Sequence, residues 1–218
     1  MHPLFRFLIA GLLPLFLTPS PPADPGVWEF QKEVEGIEVY FRESEGSPIK
    51  ELKISFTVEA SLSTIIAVLK DIDAFPQWIY KCEEAELLEG GGPEVLYYNR
   101  IDFPWPLSDR DAVCYATYEQ DPKTGVVHTR NVAKQGHVPE KDGIVRLQTM
   151  EISWTITPEG PRKSHIDYYL QSDPGGSLPN WLINLALDRG PVKSMQAFRK
   201  MVKNPAYQNR DVAGVQNF

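Results

Sequence analysis

Between residues 83 and 172 the chain passes through six successive strand-like segments with little room to turn, and one long apolar-striped helix follows. The strands are predicted at 83–89, 94–103, 111–120, 126–131, 144–157 and 164–172. Turn signals separate them: Gly90-Gly91-Gly92, the proline loop 104–106, 121–125, Asp142-Gly143 and 158–161. Strands joined by short turns pair antiparallel. A sheet built that way has one face to bury, and a long amphipathic helix arriving last is the available cover.

The first third of the chain fits the same plan. Segments 28–34 and 38–42 read as two strands around Gly36. In 49–59 the residues Ile49, Leu52, Ile54, Phe56 and Val58 fall largely on one face of a longer strand. Leu62, Ile65, Ile66 and Leu69 have helical spacing behind a serine cap at Ser61 or Ser63, and that helix ends near Asp71. Phe75-Pro76-Gln77-Trp78 makes an apolar corner of about one helical turn. The final helix starts after Asp173-Pro174-Gly175-Gly176, with Pro179 in its first turn. Trp181, Leu182, Leu185, Val192, Met195, Phe198 and Val202 form its stripe, and Gly190-Pro191 should kink or split it. The expected class is therefore α+β: a curved antiparallel sheet of about nine strands wrapped around a long C-terminal helix, a layering that leaves space for an internal cavity.

Three domain segments are expected: a leader at 1–23, the folded domain at 24–204 and a polar tail at 205–218. The leader has Arg6 within an apolar run, then Pro19, Pro21, Pro22 and Pro25. The run is shorter than the roughly 20 residues of a membrane span. It reads as a secretory signal peptide, hence export to a periplasmic or extracellular space, with an uncleaved anchor as the competing reading. Cleavage after Ala23 would place Pro21 where a small residue is preferred.

Net charge is -7, with 42% hydrophobic and 23% charged residues, and no Lys/Arg-rich run. That argues against nucleic acid as a partner. The two cysteines, Cys82 and Cys114, lack metal-ligand spacing; they either pair in an oxidising compartment or pack as small hydrophobes. His128, His137 and His165 are too scattered to suggest a metal, and no nucleophile motif stands out. The reading is of a monomeric, cofactor-free, non-enzymatic protein.

Three stretches resemble the START family, the steroidogenic acute regulatory protein-related lipid-transfer domains: Gly36-Ile37-Glu38-Val39-Tyr40; Phe103-Pro104-Trp105-Pro106-Leu107-Ser108-Asp109-Arg110-Asp111; and the run from Asp173 through Pro179-Asn180-Trp181-Leu182-Ile183-Asn184. They occur in the family's order and span about residues 28 to 203. The resemblance implies a helix-grip fold that holds a sterol, phospholipid, sphingolipid or similar ligand. It also implies a mouth formed by the 103–109 loop and the last helix. One departure is informative. In the phosphatidylcholine-transfer branch an Arg and an Asp flank the tryptophan matching Trp78, whereas Phe75 and Ile79 stand here, so a phosphate loses a bidentate partner. A less polar ligand is favoured.

A lipid carrier needs an apolar lining, one or two orienting polar groups and a lid. Candidates for the lining and gate are Trp78, Tyr98, Ile101, Phe103 and Trp154 from the domain body, with Trp181, Leu182, Leu185, Met195 and Phe198 from the last helix. Arg110 either fixes its loop through an ion pair or orients a ligand hydroxyl or carboxylate. Arg146, if it points inward, is buried and must be paired. Trp105 either touches a membrane transiently, gates the ligand or packs on the lid. Two alternatives share the fold: a cyclase or aromatase using the cavity for a small substrate, with Asp102, Tyr98 and Arg110 nearest to acid–base groups, and an interaction module whose interior is filled by side chains.

Overall fold

A computed structural model describes residues 26–44, 47–176, 178–208 and 210–218; the leader lies outside the described residues. The strands β1 (Glu29–Val34), β2 (Ile37–Arg42) and β3 (Glu51–Val58) form a first meander. The β1–β2 hairpin turns on Glu35 and Gly36, both at positive φ (54° and 68°), as a two-residue turn matching strand twist requires. Helix α1 (Leu62–Lys70) follows, capped by Ser61, whose side chain accepts the Thr64 N–H. A short 3-10 turn leads to the single helical turn α2 (Phe75–Trp78).

A second meander is β4 (Cys82–Gly90), β5 (Glu94–Ile101), β6 (Asp109–Gln120) and β7 (Val127–Ala133). The expected strand at 144–157 is two strands, β8 (Ile144–Arg146) and β9 (Thr149–Gly160). They separate because β8 runs parallel to the start of β6, where the Leu147 N–H donates to the Asp111 carbonyl at 2.8 Å, while β9 pairs with β7. The last strand, β10 (Lys163–Asp173), pairs with β9 on one side and β3 on the other. That joins both meanders into one ten-stranded sheet, nine strands in the order β1-β2-β3-β10-β9-β7-β6-β5-β4 and β8 paired with β6 off that path.

The sheet's inner face packs on α3 (Asn180–Met201), which runs unbroken through Pro191 instead of splitting there. Its C-terminal part is fastened to the first meander. Arg199 donates to the carbonyls of Glu35, Gly36 (2.9 Å) and Thr57 (3.3 Å) and lies 5.3 Å from the Phe56 ring centre. Farther toward the N-terminus, Ser194 Oγ accepts the Tyr80 N–H at 2.9 Å and donates to the Gly190 carbonyl. An aromatic cluster joins helix to sheet: the Phe198 ring lies 5.2 Å from Trp78 and 5.3 Å from Trp154.

Residues 205–208 and 210–218 pack back on the domain. Tyr207 is buried and donates its hydroxyl to Asp71 at 2.8 Å, Val212 and Val215 pack against the core, and Asn217 accepts the Ser63 N–H at 3.0 Å. Both cysteines are free and buried, so the pairing alternative is not realised.

Candidate ligand cavity

Strand periodicity of two decides which side chains face inward. On β5 these are Tyr97, Asn99 and Ile101; on β7, Thr129 and Asn131; on β9, Met150, Ile152 and Trp154; on β10, Tyr168, Leu170 and Ser172. Between Arg110 and Tyr118 at the two ends of β6, the alternate positions are Ala112, Cys114 and Ala116. Small side chains there leave the middle of the face shallow. Phe75, Trp78 and Ile79 wall one side, and Leu178, Leu182, Ile183, Leu187 and Met195 roof the space. Phe103, Pro104, Leu107 and Pro174 surround the mouth. Together they enclose about 350 Å³, within the range that holds small organic ligands and above the roughly 300 Å³ floor.

Seven of the predicted residues meet in this cavity: Trp78, Ile101, Phe103, Arg110, Trp154, Leu182 and Met195. Tyr98 does not. It is one residue from Tyr97 and three from Ile101, so it projects from the opposite face into a small cluster with Leu96 and Val113, under Lys141. Arg146 also lies outside the cavity. It is buried in a bidentate ion pair with Asp111 (2.7 and 3.0 Å) and donates to the Val138 and Pro139 carbonyls, which makes it a structural strut. Phe198 is wholly buried but serves as core behind Trp78 and Trp154. Trp105 is 92% exposed at the loop tip, neither lining the cavity nor packed on the lid. Trp181 and Leu185 lie outside the described side chains. Asn99, Thr129, Asn131, Tyr97 and Tyr168 went unrecognised in the sequence, although extending the alternation from Ile101 back along β5 would have found Tyr97 and Asn99.

The lining is apolar with a few polar atoms. Tyr97 donates to Asn131 at 3.3 Å, Asn131 donates to the Ile152 carbonyl at 3.3 Å, and Tyr118 donates to the Leu69 carbonyl at 3.2 Å. Two buried donors on lining residues, Trp78 Nε1 and Thr129 Oγ1, have no partner among the described residues. Burial pushes the phenols of Tyr97, Tyr118 and Tyr168 up, so they stay protonated at neutral pH. Arg110 sits at the mouth. Its Nε donates to the Pro174 carbonyl at 3.1 Å, Nη1 to Ser108 and Nη2 to Gly175, and it lies 4.5 Å from the Phe103 ring centre. It thereby staples the 102–108 loop to the approach of α3.

A sheet wrapped around a terminal helix over an apolar, roofed cavity is the helix-grip architecture. The chain belongs to the START domain family, whose model matches residues 22–207. It is similar to an uncharacterized protein of Pseudomonas aeruginosa (30% identity, covering 79% of this chain and 85% of the relative). It is also similar to the phosphatidylcholine transfer protein of Rattus norvegicus (28% identity, covering 81% and 84%). The crystal structure of a STAR-related lipid transfer protein from Xanthomonas axonopodis superposes with a TM-score of 0.76 at 33% identity, covering 81% of this chain and 99% of the other.

Proposed function

We propose that the protein binds one lipid or lipid-like molecule in this cavity and carries it between membranes without altering it. The observation that carries the reading is the roofed volume of about 350 Å³ between the inner sheet face and α3, walled mainly by apolar side chains. Exposing a long acyl chain to water costs about 0.8 kcal/mol per methylene, roughly 12 kcal/mol in all, so unaided desorption is slow. An apolar site of comparable free energy removes most of that barrier. The relatives named for lipid transfer support the reading. The ionisable groups of the described lining favour binding over acid–base chemistry: one arginine, and tyrosines of which three are held protonated by burial.

Trp105 suits a transient membrane contact, since an exposed indole next to the mouth residues Phe103, Pro104 and Leu107 prefers the interfacial region. The apolar Phe75 and Ile79 on either side of Trp78 favour a head group other than phosphocholine. Export through the leader completes the proposal, with periplasmic or secreted carriage as its setting.

The test is to purify the protein from its native host, extract it with organic solvent and identify the extract by mass spectrometry. One lipid species at near-stoichiometric amount is expected. An empty preparation that also binds no sterol, fatty acid or phospholipid overturns the reading. Trp105→Ala is expected to leave thermal stability within about 0.5 kcal/mol of the parent while slowing ligand transfer between vesicles several-fold.

A further inference from the structure

Two buried arginines near the mouth are neutralised in different ways. Arg146 is 5% exposed and has a carboxylate, Asp111, gripping the Nε–Nη2 edge of its guanidinium with both oxygens. Arg110 is 3% exposed, yet among the described residues no carboxylate lies within 4.0 Å of it. The acidic groups near it in sequence are engaged elsewhere. Asp109 accepts from Arg100 at 2.6 Å and from the Phe103 N–H at 3.2 Å, Asp111 belongs to Arg146, and Asp173 accepts the Gly175 N–H at 2.9 Å.

Every hydrogen bond of Arg110 goes to a neutral carbonyl: Ser108, Pro174 and Gly175. A guanidinium has five N–H donors. Three are used, leaving one on each Nη nitrogen without a protein acceptor among the described residues. Burial lowers the pKa of Arg110, and the neighbouring Asp109 charge, itself bonded to Arg100, offsets only part of that desolvation. Such a charge is costly unless something neutralises it, and Arg110 lines the cavity.

We propose that the ligand is an anionic amphiphile, a single acyl chain or compact ring system ending in a carboxylate or phosphate monoester, whose head group pairs with Arg110 at the mouth. This rests on the carrier reading above. The planar guanidinium fork fits either anion. Head-outward seating keeps the charge nearest to water, at the rim formed by Phe103, Leu107 and Pro174. It sends the apolar part toward Trp154 and Tyr168. A volume near the lower end of the ligand-pocket range suits one chain better than two.

The experiment measures the affinity of the delipidated protein for palmitate, palmitoyl lysophosphatidic acid, hexadecanol and methyl palmitate at neutral pH, from intrinsic tryptophan fluorescence. At least one of the two acids is expected to bind about tenfold or more tightly than the alcohol and the ester, and whichever acid leads names the anion. Arg110→Met is expected to shrink that ratio to less than about threefold, and Arg110→Lys to keep part of it. If the methionine variant fails to fold, the ratio in the parent protein and in the lysine variant decides. Equal affinity for palmitate, lysophosphatidic acid and hexadecanol, or a ratio untouched by Arg110→Met, overturns the proposal and leaves the carrier intact. Binding of none of the four overturns the proposal; the carrier reading falls with it only if the native extract is also empty and the protein binds no sterol or phospholipid.

Discussion

Thr129 and Trp154 stand directly opposite each other across β7 and β9, and the buried Thr129 hydroxyl has no hydrogen-bond partner among the described residues. A solid core would seldom tolerate such a group, because an unmet buried hydroxyl costs about 1–3 kcal/mol. Thr129→Val keeps the β-branched shape and removes the orphan. The ligand-free variant is expected to gain about 1 kcal/mol, read as a higher urea midpoint at unchanged slope. A lower midpoint would mean that the hydroxyl has a partner in solution.

Asp111→Asn should be strongly destabilising. It leaves Arg146, whose side chain is 2% exposed, without its counter-charge. Losing one member of a buried pair costs about 3–5 kcal/mol. Replacing both members, as in Asp111→Leu with Arg146→Met, should recover most of the loss. Equilibrium denaturation of the parent and the two variants checks both statements.

The mouth loop should loosen in acid. The Phe103 N–H and Arg100 hold the Asp109 carboxyl below the usual carboxylate range. A group whose folded pKa is depressed stabilises the fold fully above its unfolded value, about 3.9 for Asp, and loses that contribution as pH falls through the folded value. Between about pH 5 and pH 2 the melting temperature of the parent should therefore fall more steeply than that of Asp109→Asn.

Neither thiol should react in the folded protein. Burial pushes Cys82 up to about 11 and Cys114 up to about 12, so almost no thiolate forms at neutral pH. Ellman's reagent is expected to titrate both cysteines only after denaturation. Rapid labelling of the native protein would contradict the burial of Cys114.

The strand run, the capped helix α1 and the closing helix were all legible, because each carries a local signal of periodicity, cap or turn. What was not legible depends on partners far away in the chain. Tyr98 was placed on the cavity face beside Ile101, although residues three apart on a strand face opposite ways. Arg146 looked inward-facing until its pairing with Asp111 across β6 and β8 appeared. The break after Arg146 has no glycine or proline to announce it; the chain switches there from one neighbouring strand to another. The segment 126–131 reads as a strand, but its alternation does not say which face is inward; only the ladder to β9 shows that Thr129 and Asn131 look into the cavity.

The ladder between β3 and β10 has a kinetic consequence. Ser55 and His165, bonded across it, are 110 positions apart in the chain. Closing so long a loop precedes any reward from the contacts it makes, which slows folding of such topologies. A nascent polypeptide that has not yet emerged past β10 holds two unjoined meanders, each with a bare greasy side. Until synthesis reaches that strand there is no container, and those sides are open to chaperones or to aggregation.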